Sequence, residues 1–390
     1  MSKGVLAVLA VLVALAAGLW LGGHPADLPG PVRDVFVQED RALRAEIIDT
    51  IESNFYKPVN ERKLDDASLK GIVESLDDPY STYLTAKEAR QFDEDVSGHF
   101  EGVGMNVEQD KRGLKVLRVF DGSPAKDANI RPGDLIVSVD GRPIAGVNSE
   151  VSTNRIKGPA GTTVELRVFT PDEHRDRTVK VKRERIEVPL TRSKLVKRDG
   201  HKLGVAELLA FSSGAHGLLS RDIKRLRARG AEAIVLDLRG NPGGLLLEGV
   251  AVSSLFIEDG KIVSVRGRHR GERSYDAEGD AILPKDVPVV VLVDGGSASA
   301  SEIVTGALRD RGRATVVGTH TFGKGLVQEV EPLSNGGELK LTTAHYYLPD
   351  GETIITGKGI KPQVRAKDDP DTDRDEALPV ALDTLARELR

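Results

Sequence analysis

Cysteine is absent from all 390 residues. That excludes a structural disulfide, a thiol nucleophile and a cysteine-ligated zinc site. Aromatic residues are scarce at 4%, yet a hydrophobic fraction of 39% marks a globular chain rather than a disordered one. Basic charge is not in excess. The net charge is −5 and the pI near 6, which gives no reason to expect nucleic acid as a partner. Runs such as Arg311-Gly-Arg313 and Arg266-Gly-Arg268-His-Arg270 are short and read as solvated turns. No internal repeat or low-complexity tract is present, and neither a metal nor a cofactor is expected. The length suffices for two or three domains.

One apolar run is long. Val5 to Leu21 is apolar apart from Gly18 and follows Lys3. It lies at the lower edge of a membrane-spanning helix and above a typical signal-peptide core. An uncleaved signal anchor is preferred over a signal removed after export. Both readings place the rest of the chain outside the cytoplasm, tethered on the periplasmic or extracytoplasmic face in the first case and soluble in the second. Residues 24–33 read as a linker. Val35 to Phe55 and about Leu64 to Leu76 carry apolar residues at helical spacing, so two amphipathic helices follow. Their stripes need a surface to cover them, in a homodimer or against an adaptor.

From Gly98 the texture changes to short strands and turns. Leu114 to Phe120, Leu135 to Val139 and Thr163 to Phe169 read as strands, and Ser123-Pro-Ala125 opens a short helix. With Arg131-Pro-Gly-Asp134 and Val139-Asp-Gly141, this unit resembles a PDZ domain. The resemblance places the carboxylate-binding loop on Gly102, Val103, Gly104 and Met105, where backbone N–H groups would grip a chain terminus.

The remainder alternates strand and helix, so a mostly parallel or mixed sheet is expected. Ala233 to Leu238 is a buried strand ending in Arg239-Gly-Asn241-Pro-Gly243-Gly244, with a helical run from Leu245. Pro288-Val-Val-Val-Leu-Val-Asp294 is another, broken by Gly295-Gly296. After it comes Ser297-Ala-Ser299-Ala-Ser301-Glu302, and Ile303, Val304, Ala307 and Leu308 then recur at helical spacing. Serines therefore sit at a helix N-terminus, where outward N–H groups favour developing negative charge. Ser299-x-x-Glu302 equally fits a capping box. A strand near Val316 feeds Gly318-Thr-His-Thr-Phe-Gly-Lys324-Gly325, Leu339 to Tyr347 continues in β pattern, and Asp375 to Leu389 reads as an amphipathic helix.

Three reaction classes can be set against these loops. Gly318-x4-Gly323-Lys324 approaches a phosphate-binding loop, but Gly325 stands where a Ser or Thr must hold Mg²⁺. A Ser-His-Asp hydrolase would draw on His216, His320 or His345 with Asp237 or Asp294, none at a diagnostic spacing, and no Gly-x-Ser-x-Gly frames Ser299. A Ser-Lys pair needs a lysine whose neutral form is populated, hence apolar surroundings. Lys324, between glycines and beside Phe322, Leu326 and Val327, has them, and Gln328 can orient a neutral amine. Lys324 alone would equally be a solvated loop lysine.

Taken together, Ser297-Ala-Ser-Ala-Ser-Glu302, Thr321-Phe-Gly-Lys-Gly325, Gln328 and Asp237-Leu-Arg-x-Asn-Pro-Gly-Gly244 resemble the carboxyl-terminal processing peptidases, or tail-specific proteases. Leu76-Asp-Asp-Pro-Tyr-Ser81 and Gly357-Lys-Gly-Ile-Lys-Pro362 strengthen the likeness. The resemblance implies a multidomain α+β chain, with a ClpP/crotonase-like α/β protease core, an inserted PDZ domain and N-terminal helices. The boundaries would be 1–23 (anchor or signal), 24–97 (linker and helices), 98–185 (PDZ), 186–366 (Ser/Lys core) and 367–390 (linker and helix). It implies Ser299 as nucleophile, Lys324 as base and Gln328 as assistant. The Ala300 N–H, with Gly243 or Gly244, would form the oxyanion hole, while Ser297 and Ser301 cap and pack. Substrates would be proteins with apolar C-terminal tails. Lys157 is one departure, standing where many relatives carry arginine. The competing reading is a non-catalytic PDZ adaptor that keeps a protease-like core.

Overall fold

The computed structural model describes residues 39–269, 271–354, 358–369, 372 and 374–390. The expected anchor at Val5–Leu21, the linker at 24–33, Arg270 and Gly357 lie outside them. Among the described residues no helix is long and apolar enough to cross a membrane. The chain divides into two units: the described residues up to Thr85 with Glu331–Lys340, and Ala86–Val330 with Leu341–Arg390.

In the first unit, helices span Glu39–Asn54 and Glu61–Glu74. The second starts three residues earlier than its apolar stripe because Asn60 caps it, accepting the Lys63 N–H at 3.2 Å. Strand Thr82–Leu84 pairs antiparallel with Glu338–Lys340. Tyr83 is buried between them, donating to Asp66 Oδ1 at 2.9 Å and accepting from Asn335 at 2.8 Å. The helical stripes are only partly covered, and Leu43, Ile47, Ile72 and Leu76 are all more than half exposed.

The second unit opens with helix Ala86–Ser97, whose Ala86, Ala89, Phe92 and Val96 recur every three or four residues, with Ala89 its one buried residue. An antiparallel sheet follows in the order Met105–Asp110, Gly113–Val119, Leu135–Val139, Thr163–Thr170, Arg175–Lys182. Val164, Leu166 and Val168 point inward and alternate with exposed Thr163 and Arg167, the period-two pattern of a half-buried strand. The Arg131-Pro-Gly-Asp134 motif has a physical reason: Asp134 is buried and accepts from Thr170 Oγ1 (2.7 Å), Arg131 N (3.0 Å) and Arg177 (3.0 Å). Met105–Asp110 is an edge strand. Beside it, helix Ser149–Ile156 and helix Ala86–Ser97 border a cleft of about 550 Å³, whose walls include Phe100, Met105, Val107, Leu117 and Lys157.

A mostly parallel sheet runs Thr191–Arg198, His201–Leu208, Ala233–Asp237, Val289–Val293, Thr315–Gly318, Val364–Arg365, with its first pair antiparallel and the rest parallel. All five residues of Ala233–Asp237 and of Val289–Val293 are buried, which is why these strands read as unbroken apolar runs. Ile234, Leu236, Val289 and Val291 pack on one face with helices Ala215–Ala228, Leu246–Ser254 and Ala300–Asp310. Val235, Val290 and Leu292 meet helix Ala377–Glu388 on the other. An isolated 11-residue helix is marginal in water. Full burial of Ile303, Val304 and Leu308, about 1.5–3 kcal/mol each, fixes Ala300–Asp310 to the sheet and so fixes whatever its first turn carries.

Candidate active site

Strand Val289–Val293 ends at Asp294, whose Oδ1 accepts N–H groups from Gly296 (2.9 Å) and Gly240 (2.8 Å). The turn is thereby tied to the loop that follows Ala233–Asp237. Ser297 and Ser301 tighten the same seam. Ser297 Oγ donates to the Leu238 carbonyl at 2.8 Å and Ser301 Oγ to the Asn241 carbonyl at 2.9 Å, both fully buried. Asn241 is also buried. It donates from Nδ2 to the Leu208 carbonyl, accepts the Gly243 N–H, and its carbonyl accepts the Ala298 N–H.

Ser299 has φ 55° and ψ −113°. A serine at positive φ is strained by about 1–3 kcal/mol and persists only where its surroundings over-determine it. The conformation is that of a sharp strand-to-helix elbow, made here without flanking glycines at the usual positions. Gly243 is what makes room. A Cβ there would lie 2.6 Å from the Ala298 carbonyl, 2.8 Å from Ser299 Cβ and 2.9 Å from Ala300 N. At φ 94° only glycine is comfortable in any case. The Gly243 N–H is donated to Asn241 Oδ1 at 2.9 Å, and Gly244 packs on Phe211 instead of on Ser299.

Glu302 is wholly buried, and four donors converge on its carboxylate. Oε1 accepts Thr321 Oγ1 (2.5 Å) and Gly323 N (2.7 Å), while Oε2 accepts Ser299 N (2.9 Å) and Lys324 N (2.8 Å). The expected capping contact from Glu302 to the Ser299 N–H is thus half of a larger arrangement that reaches the Lys324 loop. That loop is closed further by Phe322 N to the Ser297 carbonyl and by Ile360 N to Thr321 Oγ1. Lys324 is half-buried. Gln328, on strand Leu326–Pro332, is half-buried too and donates to Thr342 Oγ1 at 3.3 Å.

Tyr346 is the residue that sequence reasoning missed. Its N–H donates to the Gly325 carbonyl at 2.9 Å, and its buried phenol lies near the Ser299 side chain. Burial pushes the phenol up to about 12, against the opposing pull of Ser299, so it stays protonated and can donate. The available signal was the alternation of buried Ala344 and Tyr346 with exposed His345. That alternation says Tyr346 faces inward but not what it meets.

The histidines and aspartates of a Ser-His-Asp arrangement are engaged elsewhere or solvated. His216 bonds Glu248 at 2.9 Å, and His320 and His345 are exposed. Asp237 pairs with Arg239 at 2.7 Å. Burial alone would lower the Arg239 pKa, but bonds to Asp237 and Asp375 raise it overall, so the guanidinium is a fixed charge anchoring the loop. Among the described residues no group of three or more His, Asp or Glu could hold a metal ion.

The second expected site, Gly102–Met105, leads into the edge strand. Its backbone is held by Ala125 N to the Val103 carbonyl (2.8 Å) and by Ser123 Oγ to the Gly104 carbonyl (3.1 Å). Lys157 stands across the cleft, 2.5 Å from Glu94 Oε2 and 5.3 Å from the Phe100 ring centre.

Elbow, carboxylate and lysine loop are thus brought together on an α/β core. Comparison with known proteins names the class. Residues 202–366 match peptidase family S41, 91–169 the PDZ domain and 41–88 the N-terminal domain of the activating protease CtpB. A probable CtpA-like serine protease of Staphylococcus aureus (strain MRSA252) is 40% identical over 315 residues, 80% of this chain and 62% of that protein. The carboxy-terminal processing protease CtpA of Bacillus subtilis (strain 168) is 37% identical over 318 residues, 81% of this chain and 67% of that protein. The structure of the photosystem II D1 C-terminal processing protease superposes with a TM-score of 0.50 at 28% identity, covering 90% of this chain and 97% of that one. The chain belongs to the C-terminal processing proteases of peptidase family S41, with the S41 fold and an inserted PDZ domain. It spans about three fifths of the length of the staphylococcal relative.

Proposed function

We propose that the protein is an exported serine endopeptidase that processes or degrades proteins from their C-terminal tails. The observation that carries this reading is the shared oxygen: Glu302 Oε2 accepts the N–H of Ser299 and of Lys324, so one carboxylate joins the two residues. Neutral Lys324 takes the Ser299 hydroxyl proton as Oγ attacks the scissile carbonyl carbon. The new C–O bond forms, the C–N bond breaks, and the proton passes to the departing amine. Water then hydrolyses the acyl ester and restores the serine. Gln328 holds the amine. The Ala300 N–H is one oxyanion donor, and the Gly243-Gly244 turn supplies the second, through Gly244 or through Gly243 once it leaves Asn241.

The domain reading assigns recognition to residues 98–185 and chemistry to 186–366. A tail would add to the edge strand Met105–Asp110 with its carboxylate on the Gly102–Met105 loop. Export and tethering rest on the apolar run Val5–Leu21, and the exposed Leu43, Ile47, Ile72 and Leu76 fit a docking face for a second copy or an adaptor. The test is digestion of an unfolded protein by purified residues 25–390, followed by gel and mass spectrometry. Wild type should cleave, S299A and K324A should not, and amidating the substrate's C-terminus should weaken cleavage. Equal cleavage by wild type and S299A would refute the Ser299 assignment, whereas no cleavage by wild type would leave the adaptor reading standing.

A further inference from the structure

Removing a carboxylate from water costs several kcal/mol unless its lone pairs are answered. Glu302 is answered in full, two donors on each oxygen, and the donors come from two separate loops. If the carboxylate served only to cap helix Ala300–Asp310, the bond to Ser299 N would suffice. Instead three of its four donors belong to Thr321, Gly323 and Lys324, some twenty residues away and beyond the next strand.

We infer that Glu302 is a positioning residue, whose carboxylate sets the distance between the Ser299 elbow and the Lys324 loop. This rests on the Ser299–Lys324 reading above and adds a residue that acts through both without touching substrate. Geometry makes length more important than charge. Glutamine keeps the reach. Its oxygen can still face Ser299 and Lys324, while its amine turns toward Thr321, whose hydroxyl oxygen can accept, and the Gly323 bond is lost. Aspartate keeps the charge but is one methylene short, so it cannot hold both loops where they are. A displacement of about 1 Å at a reacting pair typically costs on the order of 10²-fold in rate.

The experiment measures kcat and KM on one unfolded protein substrate for wild type, E302Q, E302D and S299A, with thermal unfolding of each. The expected order in kcat is wild type, then E302Q at about a tenth, then E302D at about a hundredth, with KM held within about twofold. A residue important only for folding would give losses that follow the unfolded fraction, and one important for its charge would place E302D above E302Q. Either result overturns the inference while S299A, still inert, leaves the nucleophile reading intact. Cleavage that survives in S299A overturns both. Should E302D not fold, E302Q decides alone: a fall in kcat of more than about threefold at unchanged KM supports the positioning role, and a smaller one overturns it.

Discussion

The two candidate sites in the second unit are held by opposite means. At Ser299 the polar groups are buried and saturated: Glu302 with four donors, Asn241 with bonds from side chain and backbone, and Ser297 and Ser301 each donating to a carbonyl. In the cleft beside Met105–Asp110 the most prominent polar contact is Lys157–Glu94, with side chains 26% and 31% exposed. Buried networks rigidify because breaking any one bond strands a group in low dielectric. Half-exposed ion pairs are worth about 0–1 kcal/mol and give way to salt or to a competing ligand. On the proposed function, chemistry that needs atoms placed within fractions of an ångström would have the first kind of support, and recognition of varied tails the second.

The contrast can be broken most severely at Gly243. In G243A the added methyl would meet the Ala298 carbonyl, Ser299 Cβ and Ala300 N, all under 3 Å. The elbow must shift, and with it the Ala300 N–H proposed above as an oxyanion donor. The expected loss in kcat is about 10²–10³-fold, the scale of one lost oxyanion donor. Steady-state kinetics checks it, and retention of even a third of wild-type kcat would show that the elbow is softer than its bonding suggests.

A smaller effect is expected at Tyr346. Removing the hydroxyl in Y346F takes away the polar group beside Ser299, an effect of about 1 kcal/mol or some fivefold in kcat. The pH dependence of stability is more telling. The folded phenol titrates at about 12 against about 10 when unfolded, so the native state holds its proton more tightly. The stabilisation is therefore complete below pH 10 and disappears as the pH rises from 10 to about 12, amounting to roughly 2–3 kcal/mol. Urea unfolding of wild type and Y346F across pH 8–12 should show wild type losing that advantage alkaline of pH 10. A constant difference would mean that the hydroxyl is not buried in the native state.

How much of this could be read from sequence follows the same division. Val289–Val293 and Ala233–Asp237 announce themselves because burial on both faces leaves no polar residue in them. Ser299-x-x-Glu302 is visible as a cap because its partners are three residues apart. The other three bonds of Glu302 are invisible, since they depend on a loop delivered by the next strand of the sheet, and spacing along the chain carries no record of that closure. Tyr346 fails for the same reason, entering from strand Glu338–Tyr347, which pairs with Lys261–Gly267 outside the parallel sheet. Gly243 is legible as a glycine that must approach something, but the structure gives its N–H to Asn241. Helix Ala86–Ser97, which borders the cleft, carries a narrow signal: Ala86, Ala89, Phe92 and Val96 keep helical spacing among eight polar residues, although only Ala89 is buried.

The smallest effect sharpens the comparison from the other side. K157A removes the bond to Glu94 and the cation over Phe100. Because both partners reach solvent, the expected cost is under about 1 kcal/mol, or a few degrees in Tm, and most of it should vanish at high salt. KM for protein tails should change, since Lys157 lines the cleft, while kcat should stay near wild type because nothing at Ser299 depends on this pair. Urea unfolding at low and high salt, with kinetics on the same samples, measures all three. A salt-independent cost of about 3 kcal/mol or more would put Lys157 in the class of Glu302, a buried charge whose partner cannot be spared. The cleft would then be as rigid as the Ser299 elbow, and its proposed fit to varied tails would have to come from the edge strand Met105–Asp110.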